Sequence, residues 1–309
     1  MKYKFVILSL IICVLLLPDC AFAKPQKASK LAIITNIKGK VTVIHSSNPT
    51  KPARAGLMME LRENDTVKTG KNSKITVVYY SDGHGENYSP NSIFKILSTG
   101  GKVIKGKKPQ KSKYSKRSFK IARGTPKDFR PKGESRNTVH IDRGKPVIFV
   151  NLSKVKIITL NPTIMWKKID EAREYEIFLK DRKNGRKIWK SKTAKTEVTY
   201  PSDAPPLKYG MSYIWKIKAR NGSDVIGEGT TRFDILTKDK VKDIEKIKNK
   251  LKEEISKNPK NTTPRVVLAM LYESYDLLDE AAGQYREILK IAPDSKRVQR
   301  HLNAIYAGK

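Results

Sequence analysis

The hydrophobic period of the chain changes once. From residue 31 to residue 97, and again from about 139 to 236, apolar side chains recur in short runs of strand-like pattern. These runs are rich in β-branched and aromatic residues, and Gly, Pro, Asn and Asp separate them. Beyond Val241 the period becomes 3.6, with Ile244, Ile247, Leu251 and Ile255 on one helical face. A chain patterned this way is expected to be mainly β with a helical C-terminal unit.

The first residues carry an export signature. Lys2 and Lys4 precede an apolar run over 5–17 that is short for a membrane span, and Ala21-Phe22-Ala23 offers small residues for cleavage before Lys24. A signal peptide over 1–23 is the expectation, with a periplasmic or cell-envelope location. A lipid anchor through Cys20 is the alternative, although Asp19 stands where a lipidation motif takes a small residue. Cys13 and Cys20 are the only cysteines. Cleavage would leave a chain without disulfides or thiolate chemistry, held together by apolar burial.

Charge narrows the partners. Lys and Arg number 64 against 30 Asp and Glu, a net charge of +34. On an exported chain this points away from nucleic acid and toward anionic lipid, lipopolysaccharide or wall polymer. Residues 101–145 hold 16 basic and 3 acidic residues, with weak periodicity. A basic, solvated linker is expected over 101–138, and Lys107, Lys108, Lys111, Lys113, Lys116 and Arg117 are its candidate polyanion-binding residues. Tyr114 and Phe119 are too few for a base-stacking module.

Residues 31–100 read as a small β-domain. Gly39-Lys40-Val41 leads, Leu57 and Leu61 follow, and Asn64-Asp65-Thr66-Val67-Lys68-Thr69-Gly70 precedes Ser73 and Ile75. Asp82-Gly83 and Pro90-Asn91-Ser92-Ile93 close the series. This pattern resembles a FecR-type domain, with Asn64 where that family usually has Gly. The resemblance implies a periplasmic β-domain that binds protein or polymer. The family's anti-sigma region has no counterpart here. Within this domain, Tyr79-Tyr-Ser-Asp-Gly-His-Gly-Glu-Asn-Tyr88 gathers Asp82, His84 and Glu86 between glycines. The glycines predict a turn between strands, not a ligand cluster.

Residues 139–237 carry about seven short strand patterns. They include a run at 146–150, alternation over 172–179, and two-residue turns at Asn184-Gly185 and Asn221-Gly222. Pro162-x-x-x-Trp166 and Leu207-x-x-Gly210-x-x-Tyr213-x-Trp215-x-Ile217-x-Ala219 resemble the tryptophan- and tyrosine-bearing strands of a fibronectin type III or immunoglobulin-like sandwich. Trp166 and one face of the Tyr213 strand are assigned to its core. Trp189, flanked by Lys187 and Lys190, is the candidate exposed aromatic.

Residues 240–306 read as helices. Thr262-Thr263-Pro264 starts one, with Thr as N-cap, and a break near Asp276 precedes another that ends before Pro293. Leu268-Ala269-x-x-Tyr272, Ala281, Tyr285 and Pro293 resemble one tetratricopeptide repeat. The resemblance implies a peptide-binding surface, with Arg265, Tyr272 and Tyr285 as candidate protein-contact residues.

No catalytic, cofactor or metal motif is found. The four histidines are scattered, and no HExxH, GxSxG, P-loop or dinucleotide fingerprint occurs. The sequence thus predicts a non-enzymatic envelope scaffold that contacts envelope proteins and anionic polymers. An envelope signalling role with a membrane partner and, further off, a wall-glycan enzyme are the rival readings.

Overall fold

The computed structural model describes residues 29–119 and 155–307. The expected signal peptide, the second half of the expected linker and the strand expected over 146–150 lie outside these residues.

The N-terminal domain contains β1 (Lys30–Lys38), β2 (Val41–His45), β3 (Asn48–Arg54), β4 (Glu60–Arg62), β5 (Thr66–Thr69), β6 (Lys74–Tyr79), β7 (His84–Tyr88), β8 (Ile93–Leu97), β9 (Gly100–Lys105) and β10 (Gln110–Lys113). They form two five-stranded antiparallel sheets, ordered β10-β7-β6-β1-β4 and β3-β2-β5-β8-β9. Ala32, Ile34, Val41, Val43, Val67, Ile75, Val77, Tyr79, Phe94 and Ile96 fill the space between them.

The first sheet is buried on both faces. While Ile75, Val77 and Tyr79 point between the sheets, Val78 and Tyr80 join a second cluster that includes the C-terminal helices. This explains why Ile75 to Tyr80 are all buried, Thr76 included, and why burial does not alternate along the strand.

The sandwich that follows contains β11 (Val155–Ile157), β12 (Thr163–Met165), β13 (Glu174–Asp181), β14 (Lys187–Thr193), β15 (Glu197–Thr199), β16 (Ser212–Asn221) and β17 (Asp224–Ile235). Its main sheet has the order β11-β17-β16-β13-β14, and β12 pairs with β15. All pairings are antiparallel except β11 with β17. Trp166, Tyr175, Trp215, Ile217 and Phe233 lie in its core, as the alternation predicts. The Tyr213 hydroxyl accepts a hydrogen bond from the Lys208 N–H at 2.9 Å, tying the start of β16 to the preceding loop. The two Asn-Gly turns form where expected, with positive φ at Gly185 and Gly222.

Four helices end the described chain: α1 (Lys238–Lys257), α2 (Thr263–Ser274), α3 (Leu278–Ile291) and α4 (Lys296–Ala307). Pro264 occupies the first turn of α2, but the Thr262 hydroxyl does not cap it. It donates instead to the Thr35 carbonyl of β1 at 2.6 Å, and the Thr35 and Thr263 hydroxyls lie 3.0 Å apart. Helix α2 is thereby seated on the outer face of the first sheet. Ile33, Leu57, Met58, Val78 and Tyr80 of the β-domain share one apolar cluster with Val266, Val267, Leu271, Tyr285 and Val298. The layers run helices, first sheet, second sheet. Among the described residues, no helix covers the outer face of the second sheet, whose side chains are half-buried or exposed.

Candidate polyanion-binding surface

The expected linker is, over its first half, part of the β-domain. β9 pairs with β8 and β10 pairs with β7. A 3-10 turn over Lys116–Phe119 then buries Phe119 to 1 % exposure among the helices, with Tyr114 packed against the same cluster. The two aromatics are anchors. Their burial gives a charged run enough apolar contact to order, which its composition alone conceals.

All six candidate basic side chains project outward from this anchored segment. Lys107 and Lys108 lie in the β9–β10 loop, Lys111 and Lys113 on β10, and Lys116 and Arg117 in the turn. Arg117 pairs with Asp243 of α1, so its charge holds the turn to the helix. Lys111 Nζ lies 3.9 Å from Glu86 Oε1. Lys107 lines a surface cleft of about 540 Å³ with Lys74, Ser89, Pro90, Asn91, Lys105 and Gly106. Among the described residues, three ammonium groups and no carboxylate line it.

The Tyr79–Tyr88 stretch departs from expectation. It turns over residues 80–83, but His84–Tyr88 continues as β7. His84, Glu86 and Tyr88 therefore point the same way. Glu86 is 2 % exposed. Its Oε2 accepts from Tyr88 Oη at 2.6 Å and from the Gly101 N–H at 2.9 Å. His84 stacks on Tyr79 with ring centroids 4.4 Å apart, and its Nδ1 lies 2.6 Å from Asp82 Oδ1. Partial burial raises the Asp82 pKa, but hydrogen bonds from the His84 ring and backbone N–H outweigh it and hold the carboxyl below its usual range. Among the described residues, no group of three His, Asp or Glu converges to hold a metal ion. The network acts as a polar clamp between β7 and β9.

The candidate protein-contact residues are placed differently. Tyr285 has no exposed surface and Tyr272 only 5 %, because both fill the helical core. In this conformation both rings serve packing and neither lies on the open surface, unlike the placement the repeat pattern suggested. Arg265 is half-buried on α2. Trp189, expected to be exposed, is half-buried as well and packs edge-on against Tyr200 and Trp215 at 5.6 and 6.0 Å. Its neighbours Lys187 and Lys190 lie over the Phe178 ring, on the opposite face of the sheet.

No family model matches the chain, and no curated protein matches it. Among solved structures, a two-domain fibronectin type III segment of chicken tenascin aligns at 10 % identity and a TM-score of 0.24, covering 68 % of this chain and 95 % of that one. The β-glucuronidase of Ruminococcus gnavus bound to uronic isofagomine aligns at 9 % identity and a TM-score of 0.22, covering 68 % and 32 %. Chicken CNTN1 FN1–FN3 domains align at 8 % identity and a TM-score of 0.22, covering 68 % and 64 %. Similarities this low carry no argument about activity or family. This chain spans about a third of the glucuronidase.

Proposed function

We propose that the protein is a non-enzymatic scaffold of the cell envelope that binds anionic polymers through its N-terminal β-domain. The carrying observation is that Tyr272 and Tyr285 are used in packing, while the candidate cations stand outward on a folded surface. Held cations lose less freedom on binding than those of a floppy linker, so the same charge binds more strongly. The FecR-like, fibronectin type III-like and tetratricopeptide-like readings of the three units belong to this proposal, as does export through a signal peptide. Protein contacts fall to the surfaces that packing leaves open, including the half-buried Arg265 and Trp189.

The test is a crosslinked pull-down of the tagged chain from its own envelope, washed in low and in high salt. Acidic polymer retained in low salt and shed in high salt is the expected result. A discrete protein retained in high salt, with no polymer at either salt, would overturn the polymer reading.

A further inference from the structure

The outer face of the second N-terminal sheet carries a cationic pattern visible only through strand register. Arg54 pairs with Thr42, Thr42 with Lys68, Lys68 with Ile93 and Ile93 with Lys105. These five residues form one row across all five strands. The adjacent row runs Ile44, Thr66, Lys95 and Lys102. The intervening residues Val41, Val43, Val67, Phe94 and Ile96 point into the core, so both rows face away from it. Five cations stand in two neighbouring rows that contain no acidic residue.

This arrangement is costly in the free protein. Lys95 and Lys102 lie directly opposite each other, a like-charge pair that weakens a sheet. The main sandwich sheet shows the alternative. There Glu174 meets Lys192, Glu176 meets Lys190 and Arg220, and Glu228 meets Lys216 and Lys218. The two sheets come from one lysine-rich chain, yet only one has its outward cations neutralised from within.

We infer that this sheet face is the docking surface for a linear anionic glycan with a carboxylate or phosphate on its repeating unit. The inference rests on the polymer-binding reading above and names its site and ligand class. Cations on neighbouring strands stand about 5–10 Å apart, and the row from Arg54 to Lys105 extends about 19 Å. An extended polyanion crossing the strands meets several in turn. Lys105 also lines the 540 Å³ cleft with Lys74 and Lys107, which continues the track past the sheet edge. Neither row contains an aromatic residue, so single-stranded nucleic acid finds no stacking platform. A five-stranded sheet is too broad to enter a duplex groove. The apolar members, Ile44 and Ile93, are half-buried between polar neighbours, and Ile104 of β9, 60 % exposed between Lys102 and Lys105, is a single side chain with too little apolar area to anchor the sheet in a bilayer.

The test uses the full chain with oligomers of polygalacturonate and of a phosphodiester-linked hexose polymer, titrated at low and high salt. Two triple variants are compared. One carries Lys68→Gln, Lys95→Gln and Lys102→Gln on the sheet. The other carries Lys242→Gln, Lys246→Gln and Lys250→Gln on the exposed face of α1. The sheet triple is expected to weaken binding about tenfold or more and to flatten the salt dependence, whereas the helix triple stays within about twofold. The oligomer should also raise the melting temperature of the parent chain and not that of the sheet triple. Equal losses in both triples overturn the sheet face while leaving polymer binding in place. No binding of either oligomer at low salt overturns both. Tighter, Lys68- and Lys95-dependent binding of duplex DNA or of phosphatidylglycerol vesicles overturns the glycan assignment.

Discussion

Gly101 stands where β9 passes over the buried end of β7. A Cβ at this position would lie 1.8 Å from Tyr88 Oη and 3.1 Å from Glu86 Oε2. Gly101→Ala therefore displaces the Tyr88 hydroxyl that donates to Glu86 and crowds the carboxylate that accepts from the Gly101 N–H. A loss of about 1–3 kcal/mol is expected, measured as the shift in urea midpoint at unchanged slope. The same network contributes to the alkaline limit. Burial, then the Glu86 charge, pushes the Tyr79 hydroxyl far above its ordinary pKa, and burial with a hydrogen bond to Glu86 does the same for Tyr88. Burial, with Glu280 and Glu245 nearby, pushes Tyr272 up to about 12. Above pH 10 the unfolded chain releases phenol protons that the folded chain retains, so the folded state binds more protons and stability falls as pH rises. Each such tyrosine contributes a slope of up to about 1.4 kcal/mol per pH unit above pH 10. Tyr79 Oη lies near the Glu86 charge but makes no hydrogen bond of good geometry. Tyr79→Phe is accordingly expected to keep its stability at neutral pH and lose less at pH 11. An equal alkaline loss in this variant would remove Tyr79 from the account.

At the scale of elements, the helices and the sandwich strands were legible and two β-domain features were not. The 3.6 period with Pro264 placed α2, and the two Asn-Gly pairs placed the hairpins after β13 and β16, because backbone requirements at those points admit few residues. β7 was hidden because Gly85 weakens the local strand pattern. Its side chain is absent where Ser112 of β10 and Tyr114 just after that strand close over it, a tertiary reason invisible in the local sequence. The ordering of residues 101–119 was hidden for a related reason. The composition is that of a linker, yet Phe119 supplies distant apolar contacts. Phe119→Ala is expected to cost about 3–5 kcal/mol if the cavity does not collapse. Trypsin cutting after Lys113, Lys116 or Arg117 should accelerate in the variant at temperatures where the rest of the fold persists, and N-terminal sequencing of the fragments checks it. Of the candidate site, the cations of residues 107–117 were legible as composition. Arg54, Lys68, Lys95 and Lys102 were not, because only strand register brings together residues spread over about fifty positions.

Across the whole molecule, chain order and packing order differ. The first and last described units share one apolar cluster, and the sandwich between them in sequence keeps a separate core. Leu236 and Ile158 are the sandwich's contributions to the shared cluster, a small apolar contact beside two independent cores. Units with separate cores and little apolar surface between them unfold separately. Calorimetry should therefore resolve two transitions, one for the β-domain with its helices and one for the sandwich. Leu271→Ala in α2 and Ile217→Ala in β16 remove fully buried side chains from the two cores. Each is expected to cost about 2–5 kcal/mol and to lower one transition only. The Leu271 variant carries a second consequence. Loosening α2 uncovers Ile33, Val78 and Tyr80 on the first sheet, so it should bind an apolar dye before the sandwich melts, whereas the Ile217 variant should not. A single transition moved equally by both substitutions would show that the sandwich is coupled to the body through more than Leu236 and Ile158.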